Sequence, residues 1–252
     1  MRQISATWHL FWVSLWRLMR SRQTMVSLLL LSFAALAVIA WSMRRGRSAD
    51  QFIEQVFLTL FVSVLAPIFS LSYGTAGIAS DREERTLVYL LVAPLPRWLV
   101  FLAKAAASLV PALLWTIGGL SLLCRLAGKP GMETLRLVWP SMVAATFAYV
   151  ALFLVFSVQF RRATLLALAY ALFLEGLVGN LPGIAKRMTV GFYVRCMVFD
   201  ASSDLGLRLD GPLRAELFLP IAGTTAQSAL LIISGVLFLI GMTIFAVREY
   251  ST

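Results

Sequence analysis

The 252-residue chain is 60% hydrophobic and 13% charged, with a mean hydropathy of +0.85, whereas a soluble globular domain carries roughly a quarter charged residues. A net charge of +10 suits a surface resting on anionic lipid headgroups, and the 22 Lys and Arg are scattered at the ends of apolar runs, which argues against nucleic-acid binding. One histidine, His9, and two cysteines, Cys124 and Cys196, form no metal or redox motif; free thiols are expected.

Residues 1–23 place Trp8, Phe11, Trp12, Leu15 and Met19 at helical spacing, with Arg17, Arg20 and Arg22 near the end. This pattern predicts an amphipathic helix with aromatic anchors, lying in the interface ahead of the first span, with His9 as an interfacial side chain. Thr24–Met43 is 20 uncharged residues, about 30 Å of helix and enough to cross a bilayer. Its long preceding segment marks it as a retained span rather than a signal peptide. A short polar loop, Arg44–Glu54, leads to a second span, Gln55–Ala79. Pro67 is expected to bend it, while Ser70, Ser72 and Gly74 leave room for a neighbouring backbone.

The stretch Ser80–Arg97 then breaks the apolar pattern with five consecutive charged residues, Asp81 to Arg85. Ser80 with Glu83, or Asp81 with Glu84, reads as a helix start, because those side chains can hold orphan backbone N–H groups. Asp81 and Arg85 lie one turn apart and are expected to pair across the surface. Leu87, Leu90 and Leu91 share an apolar face. Pro94 and Pro96 end the helix, and Arg97 with Trp98 marks re-entry into the membrane.

Trp98–Cys124 reads as a third span, bent at Pro111, with Lys104 snorkelling to the near interface as an anchor. Arg125–Leu137 is expected to be a loop. Val138–Phe160 is a fourth span ended by Arg161 and Arg162, and Ala163–Ala185 a fifth. Glu175 in the fifth is the acidic residue set deep in an apolar run. A charged carboxylate there is costly unless it is paired or faces the bundle interior. It is read either as a functional group at a conduit or subunit interface, or as a hydrogen-bonded packing residue near the outer end. Residues 186–225 form the longest non-membrane piece, with Leu213–Leu219 as a short helix, and Ala226–Val247 is a sixth span. The expected organisation is therefore an interfacial helix over 1–23 and a permease domain over 24–252.

Glu84-Arg85-Thr86-Leu87, followed by Leu90-Leu91, Pro94, Arg97 and Lys104, resembles the permease subunits of type-2 ATP-binding-cassette exporters. The resemblance implies an all-α polytopic fold with six transmembrane helices and a cytoplasmic coupling helix, 80–97, docking into a separate ATPase. It implies a docking surface of Asp81, Glu83, Glu84, Arg85 and Thr86, with Leu87, Leu90 and Leu91 fixing the helix to the bundle. It also implies short helices before the last span on the outer side, and a homodimer or heterodimer of permease subunits carrying two ATPase subunits. ATP and Mg2+ would then belong to the ATPase, with no cofactor or metal in this chain. The protein would be a multi-pass component of the cell membrane, in contact with lipid and not with nucleic acid. Six spans put both termini on one side. The cations are almost evenly divided between the two sides, so it is the resemblance that implies cytoplasmic termini.

Enzymatic readings find little support. No G-x-x-x-x-G-K-[ST] phosphate loop occurs, and Gly128-Lys129-Pro130-Gly131 lacks the strand and helix such a loop needs. An intramembrane protease would require paired aspartates, a Ser–His pair or HExxH, none of which is present. A non-transporting six-span scaffold is the other alternative, but it would have no use for the charged stretch after the second span.

Overall fold

The computed structural model describes residues 2–43, 48–83, 96–177, 185–204 and 221–248, and among these the chain is helical with no strand. The helices are α1 (Arg2–Met19), α2 (Arg22–Ser42), α3 (Ala49–Phe52), α4 (Ala66–Glu83), α5 (Arg97–Leu126), α6 (Lys129–Gln159), α7 (Ala163–Ala169), α8 (Val190–Asp204) and α9 (Gly223–Val247). Two π-helical runs join them, Ile53–Leu65 between α3 and α4 and Tyr170–Leu177 after α7, and a short 3₁₀ turn, Ala185–Met188, precedes α8. Five described helices are long and apolar enough to cross a membrane: Arg22–Ser42, Ala49–Arg82, Arg97–Leu126, Lys129–Gln159 and Gly223–Val247. Ala163–Gly176 is a shorter apolar helix, and residues 178–184, which would continue the expected fifth span, lie outside the described residues.

Several boundaries differ from the sequence expectation. The helix leading into the second span begins at Ala49, where the Ser48 side chain accepts from the Gln51 N–H at 3.5 Å. Pro67 has no N–H to donate, and the backbone just before it is wound in the wider i→i−5 register. In that run Thr59 and Ser63 donate their hydroxyls five residues back, to the Glu54 and Leu58 carbonyls, at 2.9 Å each. The loop expected over Arg125–Leu137 is instead a tight hairpin. Gly128 takes φ +77°, and α6 starts at the next residue. A Cβ on Gly131 would lie 2.1 Å from the Cys124 carbonyl oxygen, so the two helices can approach this closely only with glycine there.

α6 is the central helix, packing against α4, α5, α7, α8 and α9. Its apolar window is 72% buried, as is that of the rod from Ala49 to Arg82, against 17% for α2 and for α9. Helices apolar on their outer faces too are what a bilayer accommodates and water does not. The core holds Phe52, Phe57, Phe61, Phe69, Tyr149 and Phe153, with a second cluster of Leu18, Tyr73, Phe101 and Phe245 where α1 meets the bundle. Small residues set the approaches: a Cβ on Gly77 would fall 2.1 Å from Ser108 Oγ, and one on Gly74 2.9 Å from Phe153 Cβ. The Thr116 and Thr146 hydroxyls link α5 to α6 at 3.0 Å.

Candidate functional site

The charged stretch after the second span begins on a residue with long-range partners. Ser80 and Asp81 are not a helix start. They belong to the last turn of α4, which runs unbroken from the span through Glu83. Asp81 is 1% exposed; Arg85, the partner its spacing suggests, lies outside the described residues. One carboxylate oxygen pairs with Arg17 of α1, and the other lies 2.5 Å from Lys104 Nζ of α5. Arg17 also donates to Ser80 Oγ at 3.0 Å. Lys104, expected to snorkel as an anchor, is 4% exposed and turned inward. A buried ammonium needs a counter-charge more than it needs a boundary, and Gly77 brings α4 close enough to α5 for Asp81 to supply it. Glu83 ends α4, while Glu84, Arg85, Thr86, Leu87, Leu90 and Leu91 lie outside the described residues.

Around this triad the same end of the bundle is laced by arginines. Arg82 donates to the Phe160 carbonyl at the end of α6. Arg248 donates to the Val158 and Gln159 carbonyls at 2.8 and 2.6 Å. Arg97 reaches the Ala246 and Arg248 carbonyls at 3.1 and 3.3 Å, beyond the last turn of α9. The last carbonyls of a helix have no partner within it and carry the negative end of its dipole, so guanidinium groups satisfy both needs.

Glu175 sits at the other end of the same helices, 2% exposed. At 1.5 Å per residue it lies roughly 18 Å along its helix from Ala163, inside a hydrocarbon layer of about 30 Å. Its Oε1 accepts from the Val190 N–H at 2.8 Å and from the Tyr170 hydroxyl at 3.2 Å, and its Oε2 accepts from the Gly191 N–H at 3.1 Å. Glu175 thus caps the start of α8. The missing side chain of Gly191 makes this possible, since a Cβ there would stand 2.6 Å from Oε2. Arg195, near enough to the carboxylate for their charges to interact, reaches Ser63 Oγ in the π-helical run at 3.0 Å. Glu175 is thus hydrogen-bonded and joins α8 to the fifth apolar helix. The arrangement repeats one helix later: Asp200 Oδ2 accepts from the Gly223 N–H at 3.0 Å, capping α9. There too a Cβ on the glycine would meet the carboxylate, 2.7 Å from Oδ2.

Compared with known families, residues 9–197 match the model of the ABC-2 family transporter protein. The chain belongs to the ABC-2 transporter family. No curated protein matches it. Membership makes the chain a membrane-embedded permease subunit of an ABC transporter, a class that works in general with an ABC ATPase partner. It is a multi-pass membrane protein.

For an ABC-2 subunit the chemistry that matters is mechanical, and no cluster of metal-binding side chains occurs among the described residues. Cys124 and Cys196 are free and buried. Sequence reasoning missed Arg17 as a partner of Asp81, the arginines as C-caps, and Arg195, Asp200 and Tyr170 as parts of the outer network. At the start of α9 the signal was local: Ala222 before Gly223 offers no side-chain cap, so that helix has to borrow one. Part of the long outer segment is the helix α8, whose Phe192, Val194, Cys196 and Val198 are buried; Leu213–Leu219 lies outside the described residues.

Proposed function

We propose that this permease subunit exports its substrate, driven by ATP hydrolysis in a separate ATPase that docks on the segment following α4. The observation that carries the reading is Asp81. It lies in the last turn of α4, two residues before Glu83 and the stretch Glu84, Arg85 and Thr86, and is bonded to both α1 and α5. A push delivered to that segment therefore reaches three helices at once. Leu87, Leu90 and Leu91 hold the segment against the bundle, and the charged residues face the ATPase. Coupling requires the ATPase to grip the segment differently before and after it closes on ATP and Mg2+, since a partner that binds both conformations equally shifts nothing. Two permease subunits, identical or paired with a relative, complete the pathway in the cell membrane, with the termini on the cytoplasmic side where the ATPase sits.

The test is the double substitution Glu84→Ala with Arg85→Ala in the subunit co-expressed with its ATPase. The variant is expected to insert normally and to lose both ATPase retention on purification and transport. Normal retention with undiminished transport would remove the coupling assignment.

A further inference from the structure

We propose that the corner between α1 and α2 is a binding site for the headgroup of a single anionic phospholipid. The hollow there, about 780 Å³, is lined by Trp12, Val13, Trp16, Arg17, Arg20 and Ser21. Its height in the membrane follows from the chain. Ser21 is extended, with ψ 161°, and turns α1 into α2, whose 21 apolar-rich residues form the first long span. The corner therefore lies where hydrocarbon gives way to headgroups.

Its chemistry has two halves. The Arg20 guanidinium lies 4.6 Å from the centre of the Trp16 ring, so the indole face holds it in place while its N–H donors stay available. Among the described residues Arg20 meets no carboxylate. Arg17, which also lines the hollow, is paired with Asp81. The Arg20 guanidinium beside a low-dielectric bundle favours an anion, and a phosphate diester fits its fork. The other half is apolar: Trp12, Val13 and Trp16 are 49%, 68% and 58% exposed along the approach to the hollow. A free inorganic anion would use the guanidinium and leave that wall idle, and so would an acidic loop of a partner protein. A phospholipid uses both, with phosphate on Arg20 and glycerol and upper chain along the tryptophans. Because Arg17 lines the hollow and also holds Asp81, occupancy of the site bears on the junction where α4 ends. The proposal does not depend on export or on the docking segment.

The experiment is native mass spectrometry of the full-length subunit in detergent, titrated with phosphatidylglycerol or with phosphatidylcholine of the same chains. Phosphatidylglycerol is expected to be retained preferentially, and Arg20→Gln to weaken its binding about fivefold, the effect of one cation at an anionic surface. Phosphatidylcholine binding should not change, nor should Arg125→Gln at the opposite end affect either lipid. Trp12→Ala, which keeps every charge, is expected to weaken phosphatidylglycerol as well and serves if Arg20→Gln folds poorly. Equal retention of the two lipids, unaltered binding in both variants, or displacement by equimolar inorganic phosphate would overturn the proposal. So would a photo-crosslinker at position 20 that captures the ATPase instead of lipid in the assembled transporter.

Discussion

Where α6 and α9 finish, guanidinium groups hold loose carbonyls; at the opposite end, the carboxylates of Glu175 and Asp200 hold loose N–H groups at the starts of α8 and α9. Each end uses the charge that the helix dipole asks for. The difference lies in depth and in reach. The arginine contacts at Phe160, Val158 and Ala246 lie at an exposed rim where water competes for the same carbonyls. Glu175 is buried, so its contacts have no substitute. The rim also contains an exception, Asp81, a buried carboxylate held by two cations rather than by backbone. The bundle therefore has a firm closure at the Glu175 end, built from long-range caps, and a softer rim at the Asp81 end, built around one ion cluster. The last turn of α4 belongs to that cluster.

The largest effect should come from breaking the cluster. Asp81→Ala removes the carboxylate that lies 2.5 Å from the buried Lys104 ammonium and is expected to cost about 3–5 kcal/mol, read as a fall in melting temperature in detergent. Adding Lys104→Met should recover much of the loss, since removing both partners removes the uncompensated charge. A neutral single variant would mean that the Asp81 end is held by something else. Next comes the Glu175 cap: Glu175→Ala should cost about 1–2 kcal/mol and speed hydrogen exchange at Val190 and Gly191 while leaving α5 and α6 unchanged. Gly191→Ala should produce the same exchange signature by pushing the carboxylate away. Smallest is Arg248→Gln, expected at about 0.5 kcal/mol because solvent replaces the guanidinium. If Arg248→Gln proved costlier than Glu175→Ala, the contrast between the two ends would be inverted.

Much of this was legible from one residue to the next. Apolar runs long enough to cross a bilayer announce membrane helices, and the acidic–Thr–Leu stretch with its Leu pair announces the family, because both signals are local. Pairings across the fold are not local. Asp81 has Arg85 four residues on and looks like half of a surface pair; among the described residues it meets Arg17 and Lys104, 64 and 23 positions away. Lys104 near a span end looks like a snorkelling anchor, and only Gly77 opposite it shows why it turns inward. Glu175 declared itself by its cost, yet nothing near it in sequence names Val190 and Gly191 as the groups that meet that cost. The hairpin at Gly128 and Gly131 was misjudged as a loop because its glycines signal a turn without giving its length.

The rod that joins the two ends is not wound uniformly. Over Ile53–Leu65 the backbone bonds five residues back, and beyond Ala66 it bonds four back. A helix with both registers in one piece can shift the boundary between them by a residue without losing its ladder. Each such shift changes the length of the rod and rotates everything beyond it. Ser63, which ties this run to Arg195, and Asp81, which ties its far end to α1 and α5, would then be turned relative to one another like the two ends of a screw.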